Sequence, residues 1–145
     1  MKLEFKEINA DNWVECVKLS VSADQKGFVA DNSYSLLESK FTNGLYPLTI
    51  YNQDVMIGFL MYGVDPETNR MEMSRLMIDK DYQGRGYGKE TINQFLKLIV
   101  NTYGKIELFT SAEPENINAI KLYESLGFMK TGEIMWGEVV LKIQL

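Results

Sequence analysis

The chain has 145 residues, 46% of them hydrophobic, with 20 acidic and 15 basic side chains and a formal net charge of −5. That length and apolar content suit one domain, 1–145, with a sizeable core, and the scattered acidic excess lacks the basic stripe of a nucleic-acid surface. One cysteine, Cys16, and no histidine exclude disulfide frameworks, Cys/His zinc sites and histidine catalysis within one chain, so proton transfers fall to carboxylates, tyrosine, lysine or water.

Leu3 and Phe5 alternate with Lys2, Glu4 and Lys6, the pattern of a first strand with one polar face. No leader is visible at Met1 to Glu4 and no apolar run approaches the ~18 residues of a membrane span, so a reducing cytoplasm is the expected setting. Asp11 or Asn12 caps a helix carrying Trp13, Val14, Val17 and Leu19. Cys16, within that spacing, reads as packing rather than as a nucleophile. The stretch from Val21 to Asn43 is irregular apart from a helix over Ser33 to Phe41. Such a segment supplies a substrate-binding wall or is simply surface loop.

Leu45 to Tyr51 and Val55 to Tyr62 form a predicted hairpin around Asn52-Gln53-Asp54, and Arg70 to Ile78 follows as the third strand of a meander. Ile92, Phe95, Leu96, Ile99 and Tyr103 recur at helical spacing. A strand through Ile106, Leu108 and Phe109 stops at Glu113-Pro114. Asn116 opens a helix with Ala119, Leu122, Tyr123 and Leu126 on one face, and Gly127 is placed to end it in the left-handed conformation. Strands over 129–134 and 138–143 close the chain around a tight turn at Trp136-Gly137. The order β-α-α-β-β-β-α-β-α-β-β predicts an α/β (α+β) fold, a twisted mixed central sheet of about seven strands with helices on both faces.

Between the third strand and the long helix lies Gln83-Gly84-Arg85-Gly86-Tyr87-Gly88-Lys89. Alternate glycines let backbone N–H groups approach an anion, the helix start adds free N–H groups and a positive dipole end, and Arg85 and Lys89 bring cations. A P-loop is excluded because Gln83 stands at its first glycine and Glu90 at its hydroxyl position; the dinucleotide fingerprint needs a different glycine spacing. A plain glycine turn capping a helix is the bland alternative.

Gln83-x-x-Gly86-x-Gly88 after an apolar strand resembles the acyl-CoA pyrophosphate loop of the GNAT N-acetyltransferases, and Asn116-x-x-Ala119-x-x-Leu122-Tyr123-x-x-x-Gly127-Phe128 resembles that family's second signature. The likeness covers about Leu45 to Leu145. It implies acetyl-CoA as co-substrate and no metal. It implies that Leu76, Met77 and Ile78 lend strand backbone to the pantetheine arm, that Gln83, Gly84, Arg85, Gly86, Tyr87, Gly88 and Lys89 hold the pyrophosphate, that Asn116 contacts the cofactor near its reactive end, and that Tyr123 stands by the sulfur as general acid. The bare chemistry agrees, because a phenol of pKa ~10 can protonate a departing thiolate and a strand N–H freed by a bulge can hold the oxyanion. The bland reading of the second motif is a core helix with a glycine C-cap.

Val21 to Ala30 and Gly58 to Gly63 further resemble the bacterial spermine/spermidine acetyltransferases. This likeness implies a small-molecule polyamine acceptor near Gln25, Phe28 and Ser74, a homodimer, and no nucleic-acid or membrane partner. Those enzymes usually carry an acidic residue at the position of Ser74, so the carboxylate expected to take the amine's proton is Glu72, two residues earlier. Residues i and i+2 of a regular strand face one side, and a bulge would spoil that geometry. A solvent-facing Glu72 is the alternative. Acetylation of a protein N-terminus or lysine, and a non-catalytic acyl-CoA-binding module, stay open beside the polyamine reading.

Overall fold

The third strand is buried from Met56 to Gly63, and the other elements are layered around it. The computed structural model describes residues 2–145; Met1, part of the N-terminal stretch read for a leader, lies outside them. In chain order the elements are β1 (Leu3–Glu7), α1 (Trp13–Lys18), α2 (Asn32–Phe41), β2 (Leu45–Asn52), β3 (Val55–Val64), β4 (Met71–Ile78), α3 (Tyr87–Tyr103), β5 (Glu107–Ala112), α4 (Ile117–Ser125), β6 (Met129–Met135) and β7 (Glu138–Gln144), with single 3₁₀ turns at Ala23–Gln25 and Lys80–Tyr82. This is the predicted order. The strands form one mixed sheet, β1-β2-β3-β4-β5-β7-β6, antiparallel except where β4 meets β5.

Two apolar layers flank the sheet. Ile92, Phe95 and Ile99 of α3 and Ile120 and Tyr123 of α4 pack on one face with Ile57, Leu60, Tyr62, Met73 and Ile78. Cys16 of α1 packs on the other with Met56, Phe59, Met61 and Met77. Burial and the charge of Glu15 push the Cys16 thiol up to about 12, a packing residue and not a nucleophile. The six-residue α1 is too short to cover more, and its Trp13 and Val14 are 50% and 44% exposed. Asn12 is its N-cap residue without a side-chain cap bond, because Asn12 Oδ1 accepts Asn9 N–H instead.

Neither β3 nor β4 is regular. Met73 and Met77 are an even number of residues apart yet belong to opposite layers, as do Ile57 and Phe59. Register shifts explain both, since Met61 pairs with Arg75 but Tyr62 with Met73, leaving Ser74 as an extra residue, and Ile50 pairs with Gly58 but Tyr51 with Met56, leaving Ile57. Each bulge exchanges the faces of all that follows. The regular β4 assumed for the Glu72 geometry is therefore corrected. The extra residue lies after Glu72, and Glu72, Ser74, Arg75 and Met77 all border the same cleft. Gly58 follows the first bulge because nothing larger fits: a Cβ there would lie 2.5 Å from Met77 O.

Candidate active site

The parallel partners β4 and β5 share one register pair, Glu72↔Phe109, and Thr110 Oγ1 donates to Met73 O at 3.0 Å just beyond it. Past that point they part, opening a cleft of about 1020 Å³. The parting leaves a strand edge inside the fold. Asp79 N–H donates to Ile57 O and Met77 O abuts Gly58, so both face β3; strand alternation then turns the backbone of Leu76 and Ile78 to the open edge. Of the three residues expected to meet an extended ligand, Met77 turns its carbonyl to β3, and all three line the cleft. Ile78 O already accepts Gln83 Nε2 at 2.9 Å.

The glycine loop closes one end. Gly84 and Gly86 adopt left-handed φ of 77° and 86°, where a β-branched side chain is strained. Gly86 is the N-cap of the 17-residue α3 and supplies no side-chain cap, which leaves first-turn N–H groups for an anion. Gln83, Gly84, Gly86, Tyr87 and Gly88 line the cleft, whereas Arg85 and Lys89 do not. Arg85 is drawn off by Asp81 O at 3.2 Å and by the Tyr82 ring, and Lys89 is exposed on α3. Gln83 serves as a tether as well as a wall, since its Nε2 also donates to Gln25 Oε1 at 2.9 Å. Asp79, which the sequence does not flag, fastens the same two segments, its buried carboxylate accepting Ser20 N–H and Asp81 N–H.

The α4 side brings Asn116, Ala119, Leu122 and Tyr123 to the cleft. Asn116 is the N-cap of α4, its Oδ1 accepting Ala119 N–H at 3.4 Å, so its amide orients the helix as well as bordering the site. Gly127 ends α4 at φ 103°, as expected. Tyr123 is 7% exposed and packs on Phe128 at 5.7 Å. Burial pushes its phenol up to about 12, partly offset by the Thr110 hydroxyl, with the charge of Glu138 adding to the rise. It is a neutral hydrogen-bond donor across the physiological range.

The cleft wall is acidic. Glu38, Asp65, Glu67, Glu72, Glu113 and Glu138 line the cleft against one basic residue, Arg75. Arg75 is tied to Glu38 at 3.1 Å and to Ser74 O at 2.9 Å. Gln25, Phe28 and Ser74, the expected acceptor residues, all lie on the wall; Ser74 Oγ donates to Met61 O at 3.3 Å. Burial, then the charges of Asp65 and Glu138, push the Glu72 carboxyl up to about 7 against the opposing pull of Arg75 and Arg70. A carboxylate titrating there is suited to general-base work at neutral pH. Trp136 donates to Glu67 across the mouth at 3.4 Å. Neither Glu138 nor Trp136 carries a local sequence signal of a site, because the pairing of β7 with β5 brings them there.

A splayed sheet edge, an uncapped helix start and a buried phenol around one cleft are the arrangement expected of an acyltransferase drawing on a coenzyme A thioester. Residues 7–128 match the Acetyltransferase (GNAT) family, and the chain belongs to it. It is accordingly an acetyl-CoA-dependent acetyltransferase. Two curated relatives, a probable spermine N(1)-acetyltransferase of Bacillus subtilis subsp. natto (strain BEST195) and a spermine/spermidine N(1)-acetyltransferase of Bacillus subtilis (strain 168), are each 30% identical over 152 residues, covering 100% of both chains. The spermidine N-acetyltransferase from Vibrio cholerae in complex with CoA and spermine shares the fold, with a TM-score of 0.74 at 16% identity over 97% of this chain and 92% of that one. No helix among the described residues is long and apolar enough to cross a membrane.

Proposed function

We propose that this chain transfers the acetyl group of acetyl-CoA to a primary amine of a polyamine such as spermine or spermidine, by direct attack in a ternary complex. The observation that carries the reading is the cleft's acidic wall, six carboxylates against one already paired guanidinium, complementary to a chain of ammonium groups. The full-length spermine/spermidine acetyltransferase relatives support it. A homodimer and a cytoplasmic setting belong to the same reading, and light scattering tests the first.

In this mechanism the amine arrives as an ammonium ion and gives one proton to Glu72. The free lone pair attacks the thioester carbon, forming the C–N bond, while a backbone N–H released from the ladder at the Ser74 bulge holds the oxyanion. The C–S bond then breaks. Tyr123 donates a hydrogen bond to the departing sulfur, and the second proton lost from nitrogen balances the one the thiolate gains. Full transfer from a phenol at about 12 to a thiolate whose conjugate thiol has a pKa of ~8.5 is uphill by roughly 5 kcal/mol. Tyr123 therefore stabilises developing charge, and solvent completes the protonation.

Acetyl-CoA turnover with spermine, spermidine, diamines and lysine-bearing or free-N-terminal peptides tests the reading. Turnover of the polyamines with release of free CoA is expected. Turnover confined to peptides selects a protein acetyltransferase, and cofactor binding without turnover of any amine selects a non-catalytic module.

A further inference from the structure

Glu138 is the first residue of β7, and its Oε1 accepts the Ser111 hydroxyl of β5 at 2.6 Å. Both residues line the cleft that holds Glu72 and Tyr123. Ser111 alternates with Thr110 and Ala112, and Ala112 belongs to the layer under α3 and α4, so Ser111 lies on the opposite face of the sheet. No β5 or β7 residue joins the α1 layer on that face. The carboxylate therefore stands over a stretch of sheet left bare of helices, with one oxygen fixed by Ser111 and Oε2 without a protein donor among the described residues.

We infer that Glu138 is a second carboxylate of the acceptor site, seating the reacting nitrogen opposite Glu72, and that Ser111 positions it. The inference rests on the cationic-amine reading above. A carboxylate that has taken the ammonium's proton no longer carries the charge that would stabilise the nitrogen when it becomes positive again. Two divide the work. Glu72 takes the first proton; the nitrogen, neutral when it attacks, becomes positive again in the tetrahedral intermediate, and an ionised Glu138 beside it stabilises that charge until the second proton leaves. The charged groups around Glu72 fit this pairing: Glu138 and Asp65 raise its affinity for a proton, and Arg75 and Arg70 lower it.

The test compares Glu138→Gln and Ser111→Ala with wild type in spermine acetylation from pH 6 to 9.5, with calorimetry of spermine binding to the CoA complex. Glu138→Gln is expected to weaken spermine binding roughly 10- to 100-fold, the loss for one charge-assisted hydrogen bond, and to move the acid limb of kcat/KM to lower pH, since burial and Asp65 then oppose the two arginines without Glu138. The KM for acetyl-CoA stays unchanged. Ser111→Ala shifts both quantities the same way by less and keeps the test open should Glu138→Gln fold poorly. A merely structural Glu138 moves the melting temperature and leaves the limb in place. Spermine that neither binds nor reacts with wild type overturns the polyamine reading and this inference together; spermine turned over by wild type, with binding and limb unmoved in both variants, overturns this inference alone.

Discussion

Glu72 and Phe109 form the only register pair between β4 and β5 among the described residues, so the Glu72 carboxylate stands at the last rung before the sheet opens. Pairing on both sides of that rung half-buries it, while the splay beyond gives it substrate access. The result is a carboxyl raised to about 7. Its active, ionised form fills as pH rises through neutrality, so acetyl transfer should climb across that range. Glu72→Gln should remove this limb and slow turnover by roughly 10²-fold or more. A pH profile that keeps its acid limb in the glutamine variant assigns the proton to another acceptor.

The same raised value has a cost in stability. A carboxyl with a folded pKa near 7 and an ordinary value of 4.5 binds more protons in the folded state, so its contribution is fully present below about pH 4.5 and is lost as pH rises through 7. Glu72→Gln should therefore raise the melting temperature more at pH 8 than at pH 5. Equal shifts at the two pH values contradict a buried, destabilising charge.

Gly86 has no atom within 4 Å of the position a Cβ would take, yet its φ is +86°. Gly86→Val consequently meets no protein clash but forces a β-branched residue into the left-handed region, at a cost of about 1–3 kcal/mol. On the phosphate-loop reading the added methyls occupy the ground a pyrophosphate would need. Wild type should melt higher with CoA present by mass action, and the variant should lose that shift. A variant that retains wild-type CoA affinity refutes the phosphate-loop assignment.

The glycine loop, the amphipathic α3, the Asn116-to-Gly127 frame of α4 and the Trp136-Gly137 turn, with φ of 53° and 76°, were legible because each is specified by residues close in sequence. The bulges at Ile57 and Ser74 were not, since a bulge is decided by cross-strand fit; Gly58 is its one local trace, and its close approach to Met77 O becomes visible only once β4 lies beside it. The same holds for the site's charges. Glu72 reads as readily as a solvent-facing strand residue until Asp65 and Glu138 are folded around it. The exposure of Trp13 and Val14 was not legible either, because helical spacing says which residues share a face and not whether a six-residue helix is long enough to bury it.

Gly58→Ala should test the coupling of bulge to cofactor edge. With 2.5 Å to Met77 O, and 3.0 Å and 3.2 Å to the Ile78 and Ile50 methyls, the new methyl must push β4 toward the cleft. A loss of about 1–3 kcal/mol in stability is expected, with a raised KM for acetyl-CoA because Leu76 and Ile78 move with the strand. Destabilisation with acetyl-CoA kinetics unchanged separates the bulge from the cofactor edge.

Tyr123→Phe removes one oxygen and keeps the ring that packs against Phe128 at 5.7 Å. The fold should persist, since the lost hydroxyl is buried and held in its neutral form at a pKa of about 12, and its removal exposes no charge. Acetyl-CoA affinity should hardly change, because the phenol meets the sulfur strongly only as negative charge develops there. Both kcat and kcat/KM should fall together. The fall belongs near the lower end of the general-acid range, about 10²-fold: the thiolate is a fair leaving group, and a phenol this reluctant to ionise contributes a hydrogen bond in place of a completed proton transfer. A thioester donor with a more acidic thiol needs that hydrogen bond less, so the defect of the phenylalanine variant should shrink as the leaving thiol's pKa falls. Uniform loss across such donors removes Tyr123 from the leaving-group role, and kinetics within about twofold of wild type, with cofactor binding intact, reduce it to a packing aromatic.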